Sequence, residues 1–581
     1  MNNKNIVYKI LKESIPVPKL VLGIIFSVIG SILTLMIPQM IGKLVNNDVI
    51  NYIITHKYII GFLVVFIILL YFIKTISIYF LGSVGANSIE NVQKTFSAHV
   101  LNLPLGVLEK YKSADLSSRL TNDIVVISKI SAVIIPDIII NTVIVVGGFI
   151  FLFNINLKLT FYVLLIVPVF LLINTPINKK LEKIYKKQQQ LLGNISGNFT
   201  QSIDNIKLIK SFNAQEDEKH KHFSQFYDLA SNMKKMVLLG ASLSSLSAAL
   251  IVFHLTFLVI YLSFTYYKGG LNISELLVFF MYVVQVIQPI LQLLNDITEI
   301  FEARGAISRI KEILDVEVED KKEIGTIEDF NSSIVFEDVS FSYGQDNILN
   351  NINFTINENE FVSIVGPSGA GKSTILSLIY KFYGGYKGKI MVGGYELADI
   401  SSHDLRENTS FILQNNLVFS DTIRNNLKYG KNRNLDDSIL NHYINLTTID
   451  QFIDKYQGLD TVIGEKGILL SEGQKQKLNV ARNLLSNPKI LLLDEPSSNL
   501  DAVSESIIND ILVSFKDKIT IVVVAHKLKT VISSDKIIVL NSSGEIEAIG
   551  NHELLIDISP TYKEFYKMSL IYEGEKEKAT V

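Results

Sequence analysis

The stretch Gly366-Pro367-Ser368-Gly369-Ala370-Gly371-Lys372-Ser373-Thr374 decides how this chain is read. It has the form G-x-x-x-x-G-K-[ST], follows the apolar run Phe361-Val362-Ser363-Ile364-Val365, and gives way to a helical pattern at Ile375. Gly366, Gly369 and Gly371 let the backbone curl so that successive N–H groups converge on phosphate oxygens, and the helix start adds positive potential. Lys372 supplies a point charge for terminal phosphates and Ser373 a hydroxyl for Mg²⁺. A strand before and a helix after form the context that a phosphate loop requires.

Working outward, 581 residues exceed one ordinary domain. The formal net charge of −3 gives no electrostatic case for nucleic acid. Hydrophobic residues make up 48% of the chain and crowd into its first 300 positions, so the front half reads as membrane protein and the back half as soluble. There is no cysteine, which excludes disulfides, thiolate catalysis and cysteine-ligated metals.

Six apolar stretches are long enough to span a bilayer: about 20–41, 58–82, 131–153, 159–177, 238–265 and 273–294. The first is too long for a signal-peptide core and lacks a small-residue cleavage site, and residues 6–15 before it have the spacing of an interfacial helix. Lysines crowd the segment 178–237 and are sparse in 43–57, 154–158 and 266–272. The positive-inside rule makes the lysine-rich side cytoplasmic, with both termini there. Segments 83–130 and 178–237 keep helical periodicity beyond the lipid, with reversals expected at Tyr111–Leu116 and Ser211–Glu218.

Polar groups are costly inside lipid, so the few present stand out. Gln285, Gln288, Gln292, Asn295 and Glu299 share one face of the sixth span, with Pro289 able to kink it. Two readings fit: a water-filled substrate cavity, or hydrogen bonds between helices. His254 reads as a packed, hydrogen-bonded histidine, and Asp137 as an interfacial carboxylate without an assigned role.

Past residue 310 the pattern turns acidic, a solvated linker over 311–333. Strand-like runs then alternate with helical ones from 334 to 581, which indicates an α/β domain. The expected organisation is a membrane domain over 1–310, with six transmembrane helices and long cytoplasmic extensions, then the linker, then an α/β P-loop ATPase domain. A second anchor is Ile490-Leu491-Leu492-Leu493-Asp494-Glu495. A buried strand ending there brings Asp494 to the edge that carries Lys372, to hold Mg²⁺ with Ser373, and leaves Glu495 to polarise an attacking water.

The remaining motifs come in the order and approximate spacing of the ATP-binding cassette family, which this chain resembles over its whole length. Tyr343 in Phe341-Ser342-Tyr343-Gly344 matches the aromatic residue that stacks on adenine. Gln414 matches the glutamine that links Mg²⁺ and the attacking water to the membrane domain, and His526 the switch histidine near the γ-phosphate. Leu470-Ser471-Glu472-Gly473-Gln474 is similar to the signature LSGGQ, which implies that Ser471, Gly473 and Gln474 contact ATP. Thr461–Gly467 looks like the exporter-specific loop, and Ser498-Asn499-Leu500-Asp501 like the inter-subunit loop. Segments 115–123 and 209–214 look like the two coupling regions of exporter half-transporters.

No second copy of either half is present, so the resemblance implies pairing with another half-transporter, a second copy or a different chain. ATP would then lie between Lys372 of one chain and Ser471 of its partner. Glu472 departs from the family's glycine, Ala114 from a glycine, and Pro496 and Asn499 from alanines, and a slowed but active ATPase is expected. The implied activity is ATP-driven export of a drug-like molecule, lipid or peptide across the cytoplasmic membrane. The alternative is an ATP-gated channel or sensor.

Overall fold

In lipid every backbone N–H and C=O needs an internal partner, so apolar runs of some twenty residues coil as helices. The computed structural model describes residues 16–45, 58–319, 327, 329–344, 346–453, 457–464, 469–496 and 502–579. Within these lie α1 (Val17–Leu44), α2 (Tyr58–Leu101), α3 (Ser113–Ile155), α4 (Leu157–Asp204), α5 (Gln215–Tyr267) and α6 (Ile273–Leu314). All six are long and apolar enough to cross a membrane. The expected interfacial helix at 6–15 lies outside the described residues.

The chain divides into two compact units, Met1–Ser97 with Ser117–Asp315, and Ala98–Leu116 with Val316–Val581. In the first unit, α6 sits against α1 and α3. Lipid supplies no hydrophobic drive between helices, so close approach and hydrogen bonds do this work. A Cβ on Gly42 would fall 2.1 Å from Val278 Cγ2, so only glycine lets α1 come this near α6. Two bonds fasten the same pair: Tyr282 donates its hydroxyl to the Leu35 carbonyl at 2.7 Å, and Ser274 to that of Gly42 at 2.6 Å.

Two expectations about the polar extensions are corrected. The first reversal begins at Asn102 rather than Tyr111, and Ser113 is already helical. Pro104 is the reason: it disfavours helical backbone at Leu103 and instead caps the short turn Leu105–Leu108. The sixth helix runs through residue 311, the expected start of the linker, to Leu314. Ile310, Ile313 and Leu314 are buried there, and Arg309 grips Asp123 through two bonds at 2.8 and 2.7 Å. Arg119 donates to the Arg309 carbonyl at 2.7 Å. The second reversal falls where expected, after the short helix Ile206–Ser211, with Asn213 at φ 51.

In the second unit the strands are β1 (Ile334–Tyr343), β2 (Asp346–Ile356), β3 (Phe361–Val365), β4 (Lys387–Val392), β5 (Tyr395–Glu396), β6 (Thr409–Ile412), β7 (Ile490–Asp494), β8 (Thr520–Val524), β9 (Lys536–Leu540) and β10 (Ile546–Gly550). They form an antiparallel sheet β2-β1-β4-β5 and a six-stranded sheet β10-β9-β3-β8-β7-β6, parallel except for β10. A parallel sheet is covered on both faces, which is why β3, β7 and β8 are buried at every residue and read as apolar runs with one polar residue each, Ser363, Asp494 and Thr520. Four strands, β2, β5, β6 and β10, were not expected from the sequence pattern. Asparagines at 347, 350, 351 and 353 hide the alternation in β2, and β6 is only four residues long.

Candidate functional site

Strand register assembles the site. Val524 on β8 pairs with Ile364 on β3 and with Asp494 on β7, while Ile412 on β6 pairs with Leu493. Gly366, Glu495, His526 and Gln414 each follow within two residues of those positions. Four strands far apart in sequence thus deliver their loops to one carboxyl edge.

The phosphate loop starts at Gly366, whose φ of 156 and a Leu540 carbonyl oxygen 2.6 Å from the place of a Cβ both demand glycine. It ends at Gly371, φ 89, where a Cβ would meet Leu349 Cδ2 at 2.5 Å; α7 (Lys372–Ile379) begins there. Between them Pro367, Ser368 and Gly369 are exposed and Ala370 is buried, as is Thr374 in the first turn of α7. Lys372 is buried, and its ammonium donates to the carbonyls of Gly366 and Pro367, both at 2.8 Å. Burial pushes its pKa below the ordinary lysine value, against the pull of Glu495 and Asp494.

Ser373 donates to Asp494 Oδ1 at 2.9 Å. Burial holds the Asp494 carboxyl above the ordinary Asp pKa, opposed chiefly by the Ser373 bond. Glu495 stands at φ 46, a left-handed conformation that few non-glycine residues adopt. Its two oxygens are engaged separately: Oε2 accepts from Gln414 Nε2 at 2.8 Å, and Oε1 lies 2.7 Å from His526 Nε2.

These residues fit a magnesium nucleotide. Gly369 is exposed, and among the described residues a side chain there would meet only open space, which leaves room for phosphate on the loop that ends at the buried Lys372. The Ser373 hydroxyl and Asp494 carboxylate are hard oxygen donors, the kind Mg²⁺ takes, and a cation there would relieve the cost of ionising Asp494.

Tyr343 ends β1 with 42% of its surface exposed, packed edge-on against Phe341 and Tyr383 at centroid distances of 4.9 and 5.0 Å. Tyr383, which the sequence reading did not single out, donates to Glu109 Oε2 at 2.8 Å and so ties the segment Ala98–Leu116 to the cassette. No spacing rule could have found a pair 274 positions apart.

The signature-like segment caps a helix, α8 (Glu472–Leu485). Ser471 Oγ accepts from Gln474 N at 3.2 Å and Gln474 Oε1 accepts from Ser471 N at 2.9 Å, a reciprocal box that occupies the Gln474 side chain. Gly473 lies in the first turn, and Glu472 is ion-paired with Lys475 at 2.8 Å. The inter-subunit loop at 498–501 and residues 465–467 lie outside the described residues.

Along α6, Gln285 donates to the Thr34 carbonyl of α1 at 3.0 Å, the helix-to-helix bond, whereas Gln288, Gln292 and Asn295 are exposed. Glu299 leaves that face for an ion pair with Lys129 at 2.8 Å. Asp296, overlooked in the sequence, is buried and accepts from Gln292 at 3.1 Å. A cavity of about 250 Å³ opens between α1 and α6, walled by Ile37, Pro38, Phe280, Met281 and Val284, with Thr34 and Gln285 completing its lining. His254 lacks the expected bond at Nε2, which is buried without a partner.

Comparison with known proteins agrees with this geometry. Residues 349–498 match the family model described as ABC transporter, and residues 20–290 match that described as ABC transporter transmembrane region. The multidrug resistance ABC transporter ATP-binding and permease protein of Lactococcus lactis subsp. cremoris is 32% identical over 503 residues, 86% of this chain and 85% of that one. An ATP-dependent lipid A-core flippase of Idiomarina loihiensis is 29% identical over 496 residues, 85% of each chain. The structure of a bacterial Atm1-family ABC exporter with ATP bound shares the fold at a TM-score of 0.79 and 22% identity, over 93% of this chain and 98% of that one. With both halves matched and the strand edge built as described, the chain belongs to the ABC transporter family, as a multi-pass, ATP-hydrolysing half-transporter of the exporter type.

Proposed function

We propose that this half-transporter pairs with a second one, a copy of itself in the simplest arrangement, and uses ATP to export an apolar or amphipathic compound from the cytoplasm. The observation that carries the catalytic part is the engagement of Glu495 from both sides, by Gln414 and by His526. Glu495 acts as the base for the attacking water, a task typically worth 10²- to 10⁴-fold. Gln414 aims it, and His526 reports on the γ-phosphate. Lys372 and the loop from Gly366 to Thr374 hold the phosphates, and Tyr343 stacks on the adenine. Ser373, Asp494 and Gln414 would hold Mg²⁺, which neutralises phosphate charge when bound. Ser471, Gly473 and Gln474 face the nucleotide of the partner chain, with the Gln474 side chain shaping the helix start.

Closure of two cassettes on ATP then moves the coupling regions 115–123 and 209–214, and with them the spans. The lysine-rich 178–237 segment supports a cytoplasmic location for these regions and for both termini. The exposed amides of Gln288 and Gln292, and the apolar cavity ending in Gln285, support a substrate that is mostly apolar with few hydrogen-bonding groups. The relatives include a multidrug resistance transporter and a lipid A-core flippase, which supports an amphipathic substrate.

The test is uptake of fluorescent amphiphiles and labelled lipids into inside-out vesicles holding the purified chain. ATP-dependent accumulation against a gradient is expected, absent in Lys372→Ala. Equilibration that stops at equal concentrations would mean a gate and overturn export.

A further inference from the structure

We infer that a cavity of about 470 Å³ on the cassette, remote in sequence from the phosphate loop, is a binding site for a small anion of the phosphate class. Three cationic side chains line it: Arg406, Lys431 and Arg482. Arg406 is matched, since its guanidinium forks onto Glu319. The other two are not. Lys431 donates only to the carbonyls of Arg406 and Glu407, at 3.0 and 3.1 Å, and Arg482 to the Leu417 carbonyl at 3.0 Å and to the Asn479 side chain. Among the described residues neither forms an ion pair. Burial pushes both pKa values below their ordinary range, Lys431 against the pull of nearby Glu407.

Lys431 is exposed at the cavity mouth and Arg482 half-buried in its wall, so two cations outside any ion pair face one concave site whose carboxylates are Glu319, taken by Arg406, and Glu407. Two further atoms lack partners. Thr409 is 1% exposed, lines the cavity, and its hydroxyl has no hydrogen-bond partner; the Arg406 Nε is likewise buried and unsatisfied. A tetrahedral dianion in the cavity would answer the charges of Lys431 and Arg482 and, as the side chains close around it, the spare donors of Thr409 and Arg406. The volume leaves room for an organic group beyond the anionic head, so a phosphomonoester fits as well as the inorganic ion.

The position gives such an anion leverage. Thr409 opens β6, the strand that leads to Gln414, and Arg482 lies in the last turn of α8, whose first turn carries the signature-like residues. Bridging the two would fix the spacing between the element that aims at the attacking water and the element that faces the partner's nucleotide.

The full chain with Lys372→Ala, which weakens anion binding at the phosphate loop, is titrated with sulfate and inorganic phosphate in detergent. A second arm uses nanodiscs with and without phosphatidic acid, to separate a free anion from a lipid headgroup. The readout is thermal stability. Anion-dependent protection in at least one arm is expected, its midpoint shifted about tenfold by Lys431→Gln and about threefold by Thr409→Val. Thr409→Val also serves as the folding control: removing an unsatisfied hydroxyl leaves stability without anion unchanged or higher, so a purely structural role predicts no loss of protection. Absence of protection in both arms, or protection that survives both substitutions, overturns the site.

Discussion

Gln414 Nε2 donates to Glu495 Oε2 at 2.8 Å, and this one bond joins the loop after β6 to the end of β7. Because His526 takes the other oxygen, the carboxylate is oriented by two different strands before any water arrives. Glu495→Gln keeps size and most hydrogen bonding but removes the basic oxygen. ATP hydrolysis is expected to fall by 10²- to 10⁴-fold while ATP affinity holds. Vanadate-free trapping of a closed dimer, seen by cross-linking or particle imaging, checks it. Turnover near the parent rate would remove Glu495 from the role of base.

Tyr383 connects two tasks, packing on Tyr343 and hydrogen-bonding Glu109. A hydrogen bond to a charged group is worth about 1.5–3 kcal/mol at most, less at a partly exposed pair such as this. Tyr383→Phe retains the ring and should leave basal ATPase within about twofold, while reducing its stimulation by transported compounds. Combined with Glu109→Gln, the double variant should be no worse than either single one. Additive losses would show that the two residues do not act through this bond.

Burial raises the Asp494 pKa above the ordinary Asp value of 3.8, so the folded nucleotide-free protein holds that proton more tightly than the unfolded chain. Its stabilising share is full below that value and is lost as pH rises through the folded pKa. Asp494→Asn removes the desolvated charge. The nucleotide-free cassette should melt at a higher temperature near neutral pH, and lose ATPase activity. Calorimetry across pH decides; a variant less stable than the parent at pH 7 contradicts the account.

Glu472 places a negative charge where glycine is usual, yet Lys475 neutralises it at 2.8 Å and holds its carboxyl below the ordinary glutamate range. Lys475→Gln exposes that charge to the nucleotide and should raise the KM for ATP about threefold at low salt, with the difference fading as salt screens it. Glu472→Gly should then have a smaller effect than Lys475→Gln. The reverse order would show that bulk, not charge, governs this position.

Much of this protein was legible from residues alone because the signals are local. A phosphate loop is nine consecutive residues, a span is a run of apolar ones, and Ile490–Asp494 announces a buried strand by having no polar face. The sequence by itself therefore determined the two halves and the six spans, and named the residues proposed to meet a nucleotide. Tertiary structure decided what depends on register and close approach. Pairing of Val524 with both Ile364 and Asp494 is what levels Lys372, Glu495 and His526 at one edge, and nothing in the spacing of those strands states it. Likewise Gln285 ties α6 to α1 while also lining the cavity between them, α6 runs past its expected end with Arg309 held by Asp123, and Tyr383 found Glu109. Each of these contacts joins positions far apart in the chain, so only the folded packing could select it from the many partners a single side chain would accept.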